Sequence, residues 1–273
     1  MKSINQIPLV QVEVPTASIL TDKEILDKFY ARVKEKYNDN KYLKIFKFED
    51  GFVAGSNSFS DSLMNELLNE QGFRITRQSD LERLIKINPD YLNGTYEDTG
   101  LALRDEKDPN SYLAQNLIKQ LESRMKLKLP VMIPLTELSI ENDPNSNYGL
   151  SFKLKECADI IYAPILNNQS GKFSSEDVDE KSGLPKKLGN GDRTFYTRES
   201  GLSRLFLYRD LDLLSYVASL GGSGSDGRVV IVSGEATPNF DSYIQKLAEE
   251  KERQNAEIEA KYQKAVSFLK EGK

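Results

Sequence analysis

Histidine and tryptophan are absent from the 273 residues, and cysteine occurs once, as Cys157. Without imidazole there is no Ser-His-Asp or Cys-His nucleophile pair, no His-ligated zinc or iron, and no ordinary acid–base group for neutral pH. A single thiol forms no intrachain disulfide and no paired-cysteine metal knuckle, which fits a reducing compartment. An excess of positive charge is missing too: 37 basic residues face 42 acidic ones, interspersed, for a net charge of −5. That balance leaves no electrostatic footprint for nucleic acid or an anionic membrane surface. No apolar stretch approaches bilayer-spanning length, and the polar–apolar alternation of Met1 to Pro15 does not read as a signal peptide. The expectation is a protein with no nucleic-acid partner and no membrane insertion. It would be cytoplasmic, virion-associated, or exported by an unconventional route.

The chain is long enough for one large domain, or a domain with appendages. Thr21 with Glu24 reads as a capping box, followed by Ile25, Leu26, Phe29, Tyr30, Val33 and Tyr37 on one face of a helix that should cover a sheet. Leu43 to Phe48 alternates as a strand. Ser60 opens a second helix carrying Leu63, Met64, Leu67 and Leu68, which Gly72 ends. Ser79 and Glu82 form another capping box, for a short helix with Leu81, Leu84 and Ile85. A fourth helix, about Ser111 to Met125, presents Leu113, Leu117, Ile118 and Leu121. From Pro130 onward the pattern shortens to strands: Val131 to Ile133, Leu150 to Leu154, Ile160 to Tyr162, Thr194 to Thr197 and Arg228 to Ser233. Helices first and strands later favour α+β with an antiparallel sheet over a doubly wound fold.

Asn167 to Asp192, rich in Gly, Ser, Asp and Lys, reads as a long surface loop. After Pro238 the chain turns helical, with a stripe of Ile244, Leu247, Ala248, Ile258, Tyr262, Ala265, Val266 and Leu269 interrupted by Lys251 and Asn255. Such a broken stripe suits a packed or oligomerising tail helix better than a long coiled coil. The organisation expected is a strand and helix in 1–40, a main domain in 41–236 and a helical tail in 237–273.

Residues 201–233, GLSRLFLYRDLDLLSYVASLGGSGSDGRVVIVS, stand apart in composition. They contain no Lys, Glu, Gln, Met, Trp or Asn, although 48 of the 273 residues are Lys or Glu and uniform density would put about six here. One phase is repetitive: Leu205, Leu207, Arg209, Leu211, Leu213 and Ser215. The other is mixed: Phe206, Tyr208, Asp210, Asp212, Leu214 and Tyr216. Successive side chains of an extended chain point to opposite faces, so this is one uniform face and one face of mixed chemistry. An amphipathic hairpin with a leucine core face explains the first alone. The genetic code explains the second. If each mixed position began as an Asn codon, AAC or AAT, and its adenines were replaced at random, Phe, Tyr, Asp, Leu, Val, Ala, Ser and Gly are reachable, whereas Lys, Glu, Gln, Met and Trp are not. The six mixed residues obey this restriction, as do Ala218, Gly221, Gly222, Gly224 and Asp226.

In this the segment resembles the variable region of target proteins of diversity-generating retroelements, in particular the archaeal type, whose variable region ends in a Gly-Arg-Val-Val-like strand, here Gly227 to Val230. The resemblance runs over Phe195 to Glu235. In such systems a reverse transcriptase copies a template repeat with adenine-directed errors, and the copy replaces the 3′ part of the target gene. The resemblance implies a C-type lectin-like fold for 41–236. Gly72-Phe73-Arg74, leading to the helix after Ser79, is similar to the formylglycine-generating-enzyme-like subgroup; the long C-terminal helix departs from many members. It also implies a receptor-recognition function. Phe206, Tyr208, Asp210, Asp212, Leu214, Tyr216, Ala218, Gly221, Gly222, Gly224 and Asp226 would meet a protein or cell-surface ligand. Leu205, Leu207, Arg209, Leu211, Leu213 and Arg228, with Arg204, would be scaffold. No catalytic residue, cofactor or metal is expected, and the tail helix could join copies into a homo-oligomer.

Other signals point elsewhere more weakly. Gly222, Gly224 and Gly227 satisfy GxGxxG, but a β-branched strand follows where a phosphate-binding loop needs a helix. Asp108-Pro109-Asn110 and Asp143-Pro144-Asn145 resemble the Pro-centred calcium-and-sugar motif of true C-type lectins, yet each reads equally as a cap or turn. Asp177, Asp179 and Glu180 form an acidic loop of the kind that is usually solvated. The Asn93 and Asn168 sequons carry no weight without a secretory signal. Two other functions fit the residues: a carboxylate-dependent enzyme using Asp210 with Asp212, and a virion or cell-surface assembly protein built through the tail helix.

Overall fold

The computed structural model describes residues 17–233 and, in the tail, Asn255, Ile258, Glu259 and Tyr262. The chain divides into two units, Met1–Gly234 and Glu235–Lys273. In the second, the four described residues are helical and exposed. The rest of the tail stripe, and Met1 to Pro15, lie outside the described residues.

The first unit opens with strand β1, Ala17–Ile19, and helix α1, Lys23–Tyr37. Asp22, not Thr21, caps α1: its carboxylate accepts from the backbone N–H of Glu24 at 2.8 Å and of Ile25 at 3.3 Å. Both residues are cap formers, so a spacing argument slips by one. Of Leu43 to Phe48, expected as a strand, Leu43 to Ile45 are turns, with Leu43 and Phe46 both buried, and only Lys47 and Phe48 are strand. Leu43 N–H bonds back to Asn40 O, and a spacing of three suits turns rather than the alternation of a strand. Pairing starts at β2, Lys47–Glu49, with β3, Phe52–Ala54. Helix α2, Ser58–Asn69, is capped by Asn57, whose side-chain oxygen accepts from Ser60 N–H at 2.8 Å; Ser60, expected as the opening residue, lies inside it. The apolar face of α1 packs on α2 and β3 rather than across a broad sheet.

After β4, Phe73–Ile75, helix α3 runs over Gln78–Ile87. Asp80 closes its first turn by accepting from Arg77 N–H at 2.9 Å, so Ser79 and Glu82 are not its capping box. Strand β5, Glu97–Leu103, and helix α4, Ser111–Glu122, precede β6, Val131–Pro134, β7, Leu138–Asn142, β8, Leu150–Leu154, and β9, Ile161–Tyr162. The last strands are β10, Gly171–Phe173, β11, Arg193–Tyr196, β12, Leu202–Leu207, β13, Leu213–Leu214, and β14, Val230–Ser233. Arg228 and Val229, expected to open this last strand, precede its ladder.

A seven-stranded sheet in the order β10-β11-β13-β12-β5-β6-β9 forms the centre, antiparallel except for the parallel β11–β13 pair. A three-stranded sheet, β1-β14-β4, and the hairpins β2-β3 and β7-β8 complete an α+β fold. Strands are not confined to the later half. Fully buried β5 lies between α3 and α4 in sequence, and its opening Glu97-Asp98-Thr99-Gly100 hid it from a hydrophobic pattern.

The main core joins α1, α2 and α4 to β5 through β8. A second core gathers Phe195, Leu205 and Leu213 with Phe173, Val178 and Leu184. The stretch from Asn167 to Asp192 is therefore not simply a surface loop: it contributes β10 and three buried side chains, because one face of β11, β13 and β12 would otherwise be bare.

Candidate functional site

The distinctive segment opens with two short strands, β12 and β13, joined by a tight turn, and ends in β14. Tyr208 N–H donates to Asp212 O and Leu211 N–H to Tyr208 O, both at 2.8 Å, with Leu211 left-handed at φ 66°. Within the strands the two phases separate. Leu205 and Leu213 enter the second core, and Leu207 packs with Leu81, Ile85 and Val230. On the other face Phe206 pairs with Leu214 across the strands, and both meet Tyr96, with Tyr208 and Val217 alongside. At the turn the alternation fails: Arg209 is exposed and Leu211 half-buried. Phe206 and Leu214 are buried, at 5% and 6% exposure, rather than solvent-facing. They lie against Tyr96, the residue just before β5, and no local pattern placed that ring there.

This face holds a hollow of about 240 Å³. Tyr96, Phe206 and Tyr208 supply aromatic walls; Arg204, Arg209 and Asp226 supply charge; Ser223 and Gly224 complete the lining. Of the residues expected to meet ligand, Phe206, Tyr208, Gly224 and Asp226 thus come together. Arg209, expected as scaffold, joins them, with its Nε 2.5 Å from Asp226 Oδ2. A second hollow of about 310 Å³ lies across the Ser223–Gly224 ridge, bounded by Gly221 and Ser225 and by Ile45, Lys47, Ala54 and Gly55.

Beneath the ridge is a buried polar platform. Arg204 shares the face of Phe206, not the leucine face, and its guanidinium forks onto Asp98, Nε to Oδ1 at 2.6 Å and Nη2 to Oδ2. Its Nη1 donates to Gly222 O at 2.9 Å. Burial disfavours the guanidinium charge, and the Asp98 carboxylate more than compensates, holding Arg204 above the usual arginine range. Ser56 Oγ lies 2.5 Å from Asp61 Oδ2 and 3.0 Å from Asp98 Oδ2, and also accepts from Asp98 N–H at 2.9 Å. The Ser56 hydroxyl stands between the two carboxylates, and the charge of Asp61 is the one disfavoured: burial and then the charge of Asp98 push its pKa well up. Tyr96 OH donates to Ser56 O at 3.0 Å and accepts from Gly224 N–H at 2.7 Å, tying the ridge down.

The remaining expected residues are placed more widely. Tyr216 is exposed, its ring 6.1 Å from Tyr196. Asp210 is exposed in the turn, whereas Asp212 accepts from Thr194 N–H at 2.5 Å and so fastens β13 to β11. Burial raises the Asp212 pKa against that bond. Ala218 is half-buried and offers its carbonyl to Asn110 Nδ2 at 2.8 Å. Gly221 is buried, and a Cβ there would stand 2.4 Å from the Tyr42 ring; Gly222 is half-buried and Gly224 exposed. Arg228 donates to the Ser225 and Gly227 carbonyls over the Phe52 ring. Ser215 is held from behind by Arg104, which is buried without a carboxylate partner among the described residues and donates to the Ser203 and Ser215 hydroxyls at 2.8 Å. Burial lowers the pKa of Arg104 to about 9.

Sequence reasoning missed Tyr96, Ser56, Asp61 and Asp98. The available signal was parity: Arg204 is two residues from Phe206, so a cation on the mixed face next to a core strand demanded a buried acid. The weaker motifs resolve into local structure. Asn110 bridges the Leu202 and Ala218 carbonyls, Asp143 accepts from Tyr112 OH, and Asp179 accepts from Ser182. Gly222, Gly224 and Gly227 lead into β14 rather than a helix. Among the described residues no group of three or more His, Cys, Asp or Glu side chains could hold a metal ion, and no helix is long and apolar enough to cross a membrane.

No protein-family model, curated protein or solved structure matches the chain. The face offers aromatic surface, an exposed guanidinium, hydroxyls and a hollow of side-chain size, held on a rigid charged platform. Those are the means of non-covalent recognition. Asp210 and Asp212 lie on a turn rather than on one strand face, and Asp212 already serves the sheet.

Proposed function

We propose that the protein is a diversified receptor-recognition protein whose mixed-phase residues, on a C-type lectin-like scaffold, are rewritten by retroelement-guided mutagenesis. One observation carries this reading: four codon-restricted positions far apart in the chain, Phe206, Tyr208, Gly224 and Asp226, line one hollow, while Leu205, Leu207 and Leu213 between the strand positions enter the core. Tyr and Phe anchor a contact at low entropy cost, Asp adds polar selectivity, and Gly leaves space.

Steric tolerance around the ridge supports it. A Cβ at Gly224 would meet only the end of the Asp226 side chain, at 2.5 Å, and at Gly222 the Ser219 hydroxyl, at 2.9 Å. At Gly227, outside the restricted set, it would strike the Ser56 and Gly55 backbone at 2.5 and 2.7 Å. Gly221 is the exception, since a side chain there needs the Tyr42 ring to move. Catalysis forms no part of the reading, because a surface under randomisation does not hold reactive geometry.

The test is genetic. A near-copy of the segment encoding about Gly201 to Ser233 should lie close downstream, with Asn codons at Phe206, Tyr208, Asp210, Asp212 and Tyr216, beside a reverse-transcriptase gene. A complete locus with neither would end the proposal.

A further inference from the structure

Position 226 is a codon-restricted position, yet its partner Arg209 belongs to the repetitive phase. Arg209 lines the hollow with a side chain 53% exposed, and its guanidinium lies 5.6 Å from the Tyr208 ring centroid. Only Nε is engaged, by Asp226; the Nη groups form no hydrogen bond with described residues. Of five N–H donors in a planar fork, most remain free to grip a carboxylate.

The other charges nearby are committed. Arg204 is neutralised by buried Asp98, and Arg228 is turned onto two carbonyls and a ring. Asp210, exposed in the same turn, has Asp212 N–H on its carboxylate at 3.3 Å. Lys47 belongs to the neighbouring hollow and stands 3.9 Å from Glu49. The charge that the first hollow shows a ligand is therefore decided by Arg209 and residue 226.

We infer that residue 226 is a charge selector, and that the ligand group suited to this hollow is the carboxylate of an acidic protein segment gripped by Arg209. Asp226 acts as an internal competitor for the guanidinium. Substituting a neutral residue at 226 frees the cation and turns the hollow toward acidic partners. The codon restriction makes this selector nearly binary on the acidic side: Glu is unreachable, so Asp is the one carboxylate open to the position. This inference rests on the binding-surface reading above.

The test selects a random twelve-residue peptide library on the full chain, as wild type, Asp226→Asn, Asp226→Ser, Glu122→Gln, and Asp226→Asn combined with Arg209→Gln. Melting midpoints verify that each variant is folded; all four changes lie on exposed or half-exposed side chains. Asp226→Asn and Asp226→Ser should enrich Asp and Glu in bound peptides about two- to fivefold over wild type, the range expected of an exposed ion pair. The preference should weaken with salt and vanish in the double variant, and Glu122→Gln, an exposed acid of α4 that does not line the hollow, should leave the wild-type pool unchanged. Identical pools from wild type and Asp226→Asn, or an acidic preference that survives loss of Arg209, would overturn the selector. Failure of every variant to enrich any peptide would instead remove the binding-surface reading, and the selector with it.

Discussion

Leu205 and Phe206 are adjacent in the chain, and both are nearly closed to solvent, at 0% and 5% exposure. Leu205 packs among Phe195, Leu213 and Met132 in an apolar core, whereas Phe206 stands between the Tyr96 and Tyr208 rings with the Arg204 guanidinium 4.9 Å from its centroid. The leucine face is closed by hydrocarbon and tolerates little change in volume. The mixed face is closed by rings and charges that also line a hollow, so change there alters what the surface offers outward. One strand thus presents an apolar face to the core and a mixed face to the hollow because its period of two sends them to opposite sides.

The largest expected effect would break the platform that supports the mixed face. Arg204→Met leaves Asp98 buried and uncompensated, which should cost about 3–5 kcal/mol in denaturant unfolding. Replacing Asp98 by an apolar residue as well should recover much of that loss. A small cost for the single change would mean that water reaches the platform and that the two faces differ less than described.

Next come the faces themselves. Leu205→Ala or Leu213→Ala should cost about 2–5 kcal/mol, as truncations of buried leucine do. Tyr208→Ser, Asp210→Ser and Tyr216→Ser should stay within about 0.5–1 kcal/mol while changing recognition. Phe206→Ala should fall between the two groups, since its ring is buried against Tyr96 but borders a hollow. Equal losses from Tyr216 and Leu205 would erase the comparison.

A pH series sharpens it further. The folded-state pKa of Asp61 is raised by burial and then by the charge of Asp98, and that of Glu97 chiefly by burial. A carboxyl held protonated in the folded state contributes stability that is complete below its unfolded pKa of about 4 and is lost as pH rises toward the folded pKa. Each such group should lower stability by up to about 1.4 kcal/mol per pH unit within that window. Asp61→Asn should flatten the slope above about pH 4 and match wild type most closely below it; an unchanged slope would place the proton elsewhere. The smallest effect concerns metal: the melting midpoint should be the same with and without a chelator, and a large drop would reveal a bound ion near the acidic loop at Asp177.

Composition, the codon-restricted phase, the α+β class and the buried faces of α1, α2 and α4 were legible in the chain, because each depends on spacing within a few residues. Cap positions slipped where two cap-forming residues stand side by side, as at Thr21 and Asp22. The strand expected from Leu43 begins only at Lys47, because the buried pair Leu43 and Phe46 is three residues apart, a spacing that suits turns. β5 was missed because Glu97, Asp98 and Thr99 are polar by type and buried only in company: Thr76 OH and Val230 N–H meet Glu97, Arg204 meets Asp98, and Gln78 and the Leu205 carbonyl meet Thr99. The hollow belongs to the same class of fact. Its walls and floor bring Ser56, Asp61, Tyr96 and Asp98 to residues more than a hundred positions later. A spacing rule reaches only a turn or two along the backbone, whereas a buried charge selects its partner by proximity in the folded chain, and proximity exists only once the sheet has formed.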